Sequence, residues 1–147
     1  MKQRAGAAAF SITLAILVLA FTGCDLDTRE SVNLAKSTFE GITKGDMTVA
    51  KNFDWRGFRL QGNDYGPSYM TLSTEYEKTQ FQKALIMKMA EAFKARNWTP
   101  ATVRNWKVDA KGVESAIVSA QSMGGGKIVM YMQKVNYEKK INRIEFQ

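Results

Sequence analysis

The chain has 147 residues, of which 45% are hydrophobic and 11% aromatic, so it is long enough for one domain with a substantial core. It contains 21 basic and 14 acidic residues, a single cysteine and no histidine. One cysteine excludes an intrachain disulfide, and the lack of histidine removes the usual near-neutral proton carrier and a common metal ligand. We therefore expect a domain stabilised by packing alone, with no metal and no other cofactor.

The first 23 residues have the layout of a secretory signal. Lys2 and Arg4 supply positive charge, and no further charged residue occurs before Asp25. The strongly apolar part covers only 10–21, which is shorter than the roughly 18 residues that a transmembrane helix needs. We therefore predict a signal peptide over 1–23. The alternatives are a transmembrane anchor formed by the same stretch, and an ordinary secreted protein whose cysteine is incidental.

The only cysteine, Cys24, follows this apolar segment directly. The run Phe21-Thr22-Gly23-Cys24 resembles the lipobox of bacterial lipoproteins, with Phe21 where leucine is usual. The resemblance implies that the Cys24 thiol receives a diacylglycerol, becomes the new N-terminus and is acylated further by a fatty acid such as palmitate. Two or more acyl chains hold a protein stably on a bilayer. The expected location is thus a cell membrane of the envelope, on its periplasmic or extracellular face, and Asp25 resembles an inner-membrane retention signal.

The residues after the signal divide into 24–28, the lipidated cysteine with a short tether, and 29–147, a single domain. Removing Lys2 and Arg4 from the 21 basic residues leaves 19 against 14 acidic ones, a net charge of +5. The basic residues are spread along the chain, and an exported protein does not normally meet nucleic acid, so we expect no nucleic-acid partner. The charge favours contact with anionic lipid headgroups instead.

Two helices are predicted at the start of the domain. Asp27 and Glu30 are spaced like a capping box, and apolar residues then recur at helical spacing over 28–44. Gly45 is a natural end for this helix. Asp46 is a natural N-cap for a second, shorter helix that ends near residue 53.

The middle of the domain combines a short strand, a loop and a long helix. Apolar and polar residues largely alternate over 55–60, which predicts a short strand. Residues 61–67 are rich in turn-forming residues, which predicts a loop. Thr74 and Glu77 form another capping-box pattern, which starts a helix that ends near residue 96.

The last third of the chain changes to a period of two residues. Four strands are predicted with short connections, which forces neighbouring strands to be antiparallel. Their predicted bounds are Thr102–Asp109, Val113–Ser122, Lys127–Val135 and Lys140–Phe146. The expected fold is α+β, with helices packed on a curved antiparallel meander of four to five strands.

This order of elements, together with Gly45-Asp46 before a second helix and the phrase Phe53-Asp54-Trp55, resembles the nuclear-transport-factor-two-like superfamily and its small bacterial lipoprotein members. A cystatin-like domain, with one helix wrapped by a meander, is the competing fold. The resemblance implies a pocket between the helices and the sheet and, in many members, dimerisation through the sheet. Members include enzymes and plain binding modules, so the fold alone does not select a function.

Several aromatic residues occur near the predicted element ends, where a pocket mouth would lie. Aromatic side chains with a polar edge suit a small-molecule or peptide site, and they suit a core equally well. Asp54 beside Trp55 is the candidate catalytic base, since an apolar neighbour raises a carboxyl pKa. These residues do not specify a particular small molecule. The possible pocket residues are Asp54, Trp55, Tyr65, Tyr69, Trp98 and Trp106.

The predicted strand over 127–135 is apolar on both of its faces. In a sheet with one solvated face, apolar and polar residues should alternate along each strand. Because they do not alternate here, the outer face is apolar and is a candidate homodimer surface. We therefore expect a membrane-anchored envelope lipoprotein with a non-catalytic ligand-binding or protein-interaction domain and no catalytic residue. The alternative is a pocket enzyme of the isomerase or hydro-lyase type that uses Asp and Tyr.

Overall fold

The computed structural model describes residues 27–147. The predicted signal peptide, the lipidated Cys24 and the retention residue Asp25 lie outside the described residues. Ser31–Gln147 is a compact unit with its own core. None of the helices within 27–147 combines the length and the apolar character needed to cross a bilayer.

The first two helices are joined by a sharp turn. Helix α1 covers 27–43. Asp27 was predicted to cap this helix, but it is already helical and so does not act as the N-cap. Gly45 has φ +66, a left-handed conformation that glycine adopts without steric cost and that lets the chain leave the helix. Asp46 then caps Met47–Asn52 by accepting from the Thr48 amide at 2.9 Å, as expected, but this element is a 3-10 helix.

The segment between the 3-10 helix and the long helix differs most from expectation. The predicted strand over 55–60 shrinks to β1, Arg59–Leu60, and the predicted loop contains β2, Asn63–Asp64, and helix α2, Gly66–Met70. The Asp64 carboxylate accepts from the Gly66 amide at 3.0 Å and so organises the start of α2.

Helix α3, Glu75–Ala95, begins with the predicted capping box. The Thr74 hydroxyl accepts from the Glu77 amide at 3.1 Å, and the Glu77 carboxylate accepts from the amides of Thr74 and Ser73, both at 3.0 Å. These bonds from Thr74 and Ser73 lower the pKa of Glu77, because they stabilise the charged carboxylate.

The four predicted strands of the meander are present; the strand Lys127–Val135 has the predicted bounds, and the ends of the other three differ by at most two residues. They are β3 Val103–Lys111, β4 Ser115–Ser122, β5 Lys127–Val135 and β6 Glu138–Phe146. Together with β1 and β2 they form a six-stranded sheet in the order β2-β1-β6-β5-β4-β3.

The expected antiparallel sheet of four to five strands is therefore wrong in count and in direction. Strand β1 pairs parallel with β6, which makes the sheet mixed, while all the other pairs are antiparallel. Short connections force antiparallel pairing only between strands that are consecutive in the chain. Strand β1 is separated from β6 by most of the domain, so that rule did not apply to it.

Strand β6 contains a bulge. Tyr131 pairs with Arg143 but its neighbour Met132 pairs with Ile141, so Asn142 is an extra residue in β6. Ile141 and Ile144 are consequently both buried in the core, although three positions separate them.

The core lies between the helices and one face of the sheet. It is formed by apolar side chains from α1, α3, the segment 53–60 and the inner face of β4, β5 and β6. Its large, fully buried members include Phe39, Phe58, Phe93, Ile86, Met89, Met130 and Ile144. This α+β packing is the part of the expected fold that the structure confirms.

Thr74→Ala tests the capping box. The variant loses the acceptor for the Glu77 amide, so we expect its free energy of unfolding to fall by about 1 kcal/mol. Urea denaturation gives this value. Gln80→Ala, on the exposed surface of the same helix, is the control and should change the free energy by less than about 0.5 kcal/mol. Equal losses in both variants would contradict the capping role.

Candidate functional site

Three of the predicted pocket residues belong to one aromatic group. Trp55 lies 6.3 Å from Tyr69 between ring centroids, and both Tyr65 and Tyr69 contact Phe81 of α3. The Trp55 indole donates to the Ala50 carbonyl at 2.8 Å and is 6% exposed. This group is a corner of the hydrophobic core, with the tyrosine hydroxyls at its edge.

The two tyrosine hydroxyls of that group have polar partners. Lys88 donates to the Tyr65 hydroxyl at 3.1 Å, and Gln82 donates to the Tyr69 hydroxyl at 3.3 Å. Both donors belong to α3, so these contacts attach α2 and its N-terminal flank to the long helix.

The other two predicted aromatic residues lie elsewhere. Trp98 is 4% exposed and stacks on Phe93 at 6.0 Å, whereas Trp106 of β3 contacts Phe39 of α1 at 5.6 Å. The structure thus places the five predicted aromatics in two groups, and all of them pack in or against the core.

Asp54, the candidate base, is half-buried. Its carboxylate accepts from the Gln133 amide nitrogen at 2.9 Å, and its own amide donates to the Ile141 carbonyl at 2.9 Å. Its carboxylate and its backbone therefore join the segment after the 3-10 helix to β5 and β6.

Two surface grooves lie on the helical side of the domain. A groove of 260 Å³ between the end of α1 and α3 is mainly apolar, and Met87 and Trp98 are among its lining residues. A second groove, of 370 Å³, runs between α1 and the 3-10 helix and is lined by both signs of charge, including Glu40, Lys44 and Lys51. Among the described residues, no group of three or more acidic or cysteine side chains could hold a metal ion.

The outer face of the sheet carries a layer of ion pairs over apolar side chains. Alternation along β5 places Val129 and Tyr131 on this face, since Ile128, Met130 and Met132 point into the core. The Arg143 guanidinium lies 4.4 Å from the Tyr131 ring centroid and binds Glu145, which in turn accepts from the Tyr131 hydroxyl at 3.3 Å. Tyr131 is half-buried because these long side chains cover it.

A second polar group lies on the same face. Asp109 is bound by Lys127 at 3.0 Å and Lys107 at 3.5 Å. The pKa of Asp109 is lowered first by the Ser119 hydroxyl, then by Lys127 and Lys107. The buried Ser119 Oγ lies near this carboxylate but has no partner of normal hydrogen-bond geometry.

One part of the surface was missed by the sequence reasoning. The turns after β3 and β5 carry the two most exposed large hydrophobic residues, Val113 and Tyr137. The predicted strands left a four-residue connection, Asn136–Lys139, whereas β6 begins at Glu138 and leaves the two-residue turn Asn136-Tyr137. No signal in the sequence marked the turn as this tight, with an aromatic residue where such a turn normally has glycine.

Comparison with known proteins adds no family to this geometry: no family model, no curated protein and no solved structure matches the chain.

Asp109→Asn tests the polar group on the sheet. A carboxyl with a lowered folded-state pKa contributes stability above its ordinary pKa of 3.8, and this contribution is lost as the pH falls through the lower folded value. We therefore expect the variant to be less stable than the wild type at neutral pH, with a difference that shrinks below about pH 3.8.

Denaturant midpoints measured across this range check the expectation. Glu91→Gln, on the exposed side of α3, is the control and should keep the wild-type pH profile. A difference between Asp109→Asn and the wild type that stays constant down to the lowest pH would contradict the role of the ionised carboxylate.

Proposed function

We propose that this chain is a lipid-anchored protein of the bacterial envelope, held by an acylated Cys24, and that its domain is a non-catalytic interaction module. The observation that carries the proposal is the run Phe21-Thr22-Gly23-Cys24 after an apolar segment, seven residues before the compact unit that begins at Ser31. Even a fully extended link of seven residues would reach at most about 25 Å. Residues 27–30 are helical, which shortens it further, so an acylated Cys24 keeps this unit close to its bilayer.

For the fold we propose the nuclear-transport-factor-two-like superfamily. Its support is the element order: a helix, a short helix after Asp46, a short strand, the long helix α3 and a four-stranded meander. The cystatin-like alternative, with a single helix, accounts for less of this order because α3 and the 3-10 helix both precede the meander.

For the partner we propose a second copy of the chain bound through the outer face of the sheet. Val129, Tyr131 and Ile117 form an apolar strip there, since Ile117 pairs with Tyr131 across β4 and β5. Charged pairs of both signs border the strip, Asp109 with Lys127 on one side and Glu145 with Arg143 on the other. Such a mixed border suits a two-fold contact, in which each charge meets its opposite on the other copy.

Cys24→Ser tests the anchor. We expect the natural protein to begin at Cys24 and to have an intact mass that includes a diacylglycerol and a further acyl chain on that residue. We also expect it to remain in the membrane fraction after a high-salt wash. The variant should lack the added mass and the cleavage at Gly23-Cys24. A wild-type protein with a free thiol and no added lipid would refute the proposal.

Ile117→Glu tests the dimer. A carboxylate in the apolar strip must be desolvated on association, so we expect the dimer dissociation constant to rise at least about tenfold. Sedimentation equilibrium of the detergent-solubilised protein measures it. Met87→Glu, on the helical side, is the control and should leave association unchanged. A monomeric wild type, or a dimer that is equally sensitive to both variants, would contradict the sheet contact.

A further inference from the structure

The two hairpin turns that carry Val113 and Tyr137 lie side by side at one end of the sheet. Ser115 at the start of β4 pairs with Gln133 near the end of β5, and the Lys134 amide donates to the Glu114 carbonyl at 2.8 Å. We call this surface the turn end; it consists of Gly112–Glu114 and Asn136–Tyr137. The turn between β4 and β5, which contains Met123, is at the opposite end of the sheet.

The turn end exposes more apolar side chain than any other described surface turn. Val113 is fully exposed and Tyr137 is 93% exposed, against 68% for Met123. Both turn-end side chains project from the tips of hairpins that are anchored in the core by the rest of β4, β5 and β6. An aromatic and an aliphatic residue are thus exposed on neighbouring hairpin turns.

Tyr137 occupies a position that favours glycine. Val135 pairs with Glu138, so the turn consists of Asn136 and Tyr137 alone, with φ values of +50 and +68. Asparagine tolerates the left-handed region well, whereas a bulky residue there is strained. Two-residue turns of this kind usually carry Asn-Gly. The tyrosine side chain is therefore present at a cost to the fold, which points to a role outside it.

Lysine side chains surround the turn end. Lys134 lies 6.0 Å from the Tyr137 ring centroid, and Lys140 donates to the Lys51 carbonyl at 2.8 Å. Glu138 accepts from Lys140 at 2.6 Å, and its pKa is lowered by Lys140 and, more weakly, by Lys51. Along the two hairpins, residues 111–115 and 134–140 contain the lysines Lys111, Lys134, Lys139 and Lys140 and the glutamates Glu114 and Glu138. The hairpin segments themselves thus carry four lysines against two glutamates.

The turn end lies next to the first residue of the compact unit. Lys139, two residues after the tip of the hairpin, donates to the Ser31 hydroxyl at 2.8 Å. In the sequence, Ser31 follows Cys24 by seven positions. A bilayer that held an acylated Cys24 would be within reach of this surface.

We propose that the turn end binds the anionic surface of the bilayer, with Tyr137 and Val113 in the headgroup region and the surrounding lysines against lipid phosphates. The inference rests on the proposed acylation of Cys24. Tyrosine is enriched at membrane interfaces because its ring is amphipathic, and lysines near an anionic surface add attraction that salt screens. The contact fixes the orientation of the domain relative to the bilayer. Because the turn end is at one end of the sheet, the middle of the outer sheet face does not contact lipid.

Hydroxyl-radical labelling of the lipidated protein tests the contact. The protein is reconstituted into vesicles of phosphatidylcholine alone or of equal parts phosphatidylcholine and phosphatidylglycerol, and labelling is located by peptide mass spectrometry. We expect the labelling rate of Tyr137 to fall at least about fivefold in the anionic vesicles relative to the neutral ones, and to recover in high salt. Tyr76, 73% exposed at the start of α3, and Met123 are internal controls and should be labelled equally in both.

Two variants separate the charge from the fold. Lys134→Glu should abolish the protection of Tyr137 in anionic vesicles, whereas Lys83→Glu, on α3, should leave it intact. Tyr137→Gly should fold with an equal or higher melting temperature, because glycine relieves the left-handed strain. A large drop in melting temperature for Tyr137→Gly would show that the tyrosine serves the fold, and would overturn the inference.

The outcomes distinguish the two proposals. An intact mass with lipid on Cys24 but equal Tyr137 labelling in both vesicle types at all salt concentrations overturns the turn-end contact and leaves the anchor in place. An intact mass without lipid refutes the anchor itself. Protection of Tyr137 that is equal in neutral and anionic vesicles and unaffected by salt would show a contact that does not depend on anionic lipid, which also overturns the inference.

Discussion

Phe93 lies where three parts of the fold meet. Its ring contacts Phe39 of α1 at 5.1 Å, Phe146 of β6 at 5.1 Å and Trp98 at 6.0 Å. A chain with one cysteine cannot reinforce such a junction with an intrachain disulfide, so the position of the helices on the sheet depends on packing of this kind. The aromatic residues predicted to line a pocket pack in or against this core. The ion pairs of the domain lie on its surface, including the outer face of the sheet.

Local rules predicted the parts of the fold that local contacts determine. The capping box of Thr74 and Glu77 and the alternation in the last third of the chain identified α3 and the four meander strands, since each signal lies within a few residues of the element it marks. The pairing of Arg59–Leu60 with β6 depends on residues more than 80 positions away. Two residues carry no periodicity, so neither β1 nor its direction was visible in the sequence. Helix α2 was missed for a similar reason, because a five-residue helix that starts at Gly66-Pro67 resembles a turn.

The candidate site shows the same division. The sequence grouped Trp55, Tyr65 and Tyr69 as possible pocket residues because all three are aromatic with a polar edge. The structure brings them together, and only the three-dimensional packing shows that they fill a corner of the core. The apolar outer face of β5 was visible in the sequence. The long side chains of Arg143 and Glu145 that cover Tyr131 were not, because they come from the neighbouring strand. Residue exposure at hairpin tips, which singles out Val113 and Tyr137, is likewise a property of the assembled sheet.

The extra residue in β6 divides that strand into two segments with opposite side-chain phase. The segment before Asn142 continues the hairpin that carries Tyr137, and the segment after it pairs with β1. If the strand alternated strictly through Asn142, Ile141 and Ile144 would lie on opposite faces, and one segment would turn its isoleucine to solvent and its charged residues to the interior. The bulge therefore acts as a phase correction, which allows a polar, lysine-bearing tip and an apolar pairing edge to coexist in one continuous strand.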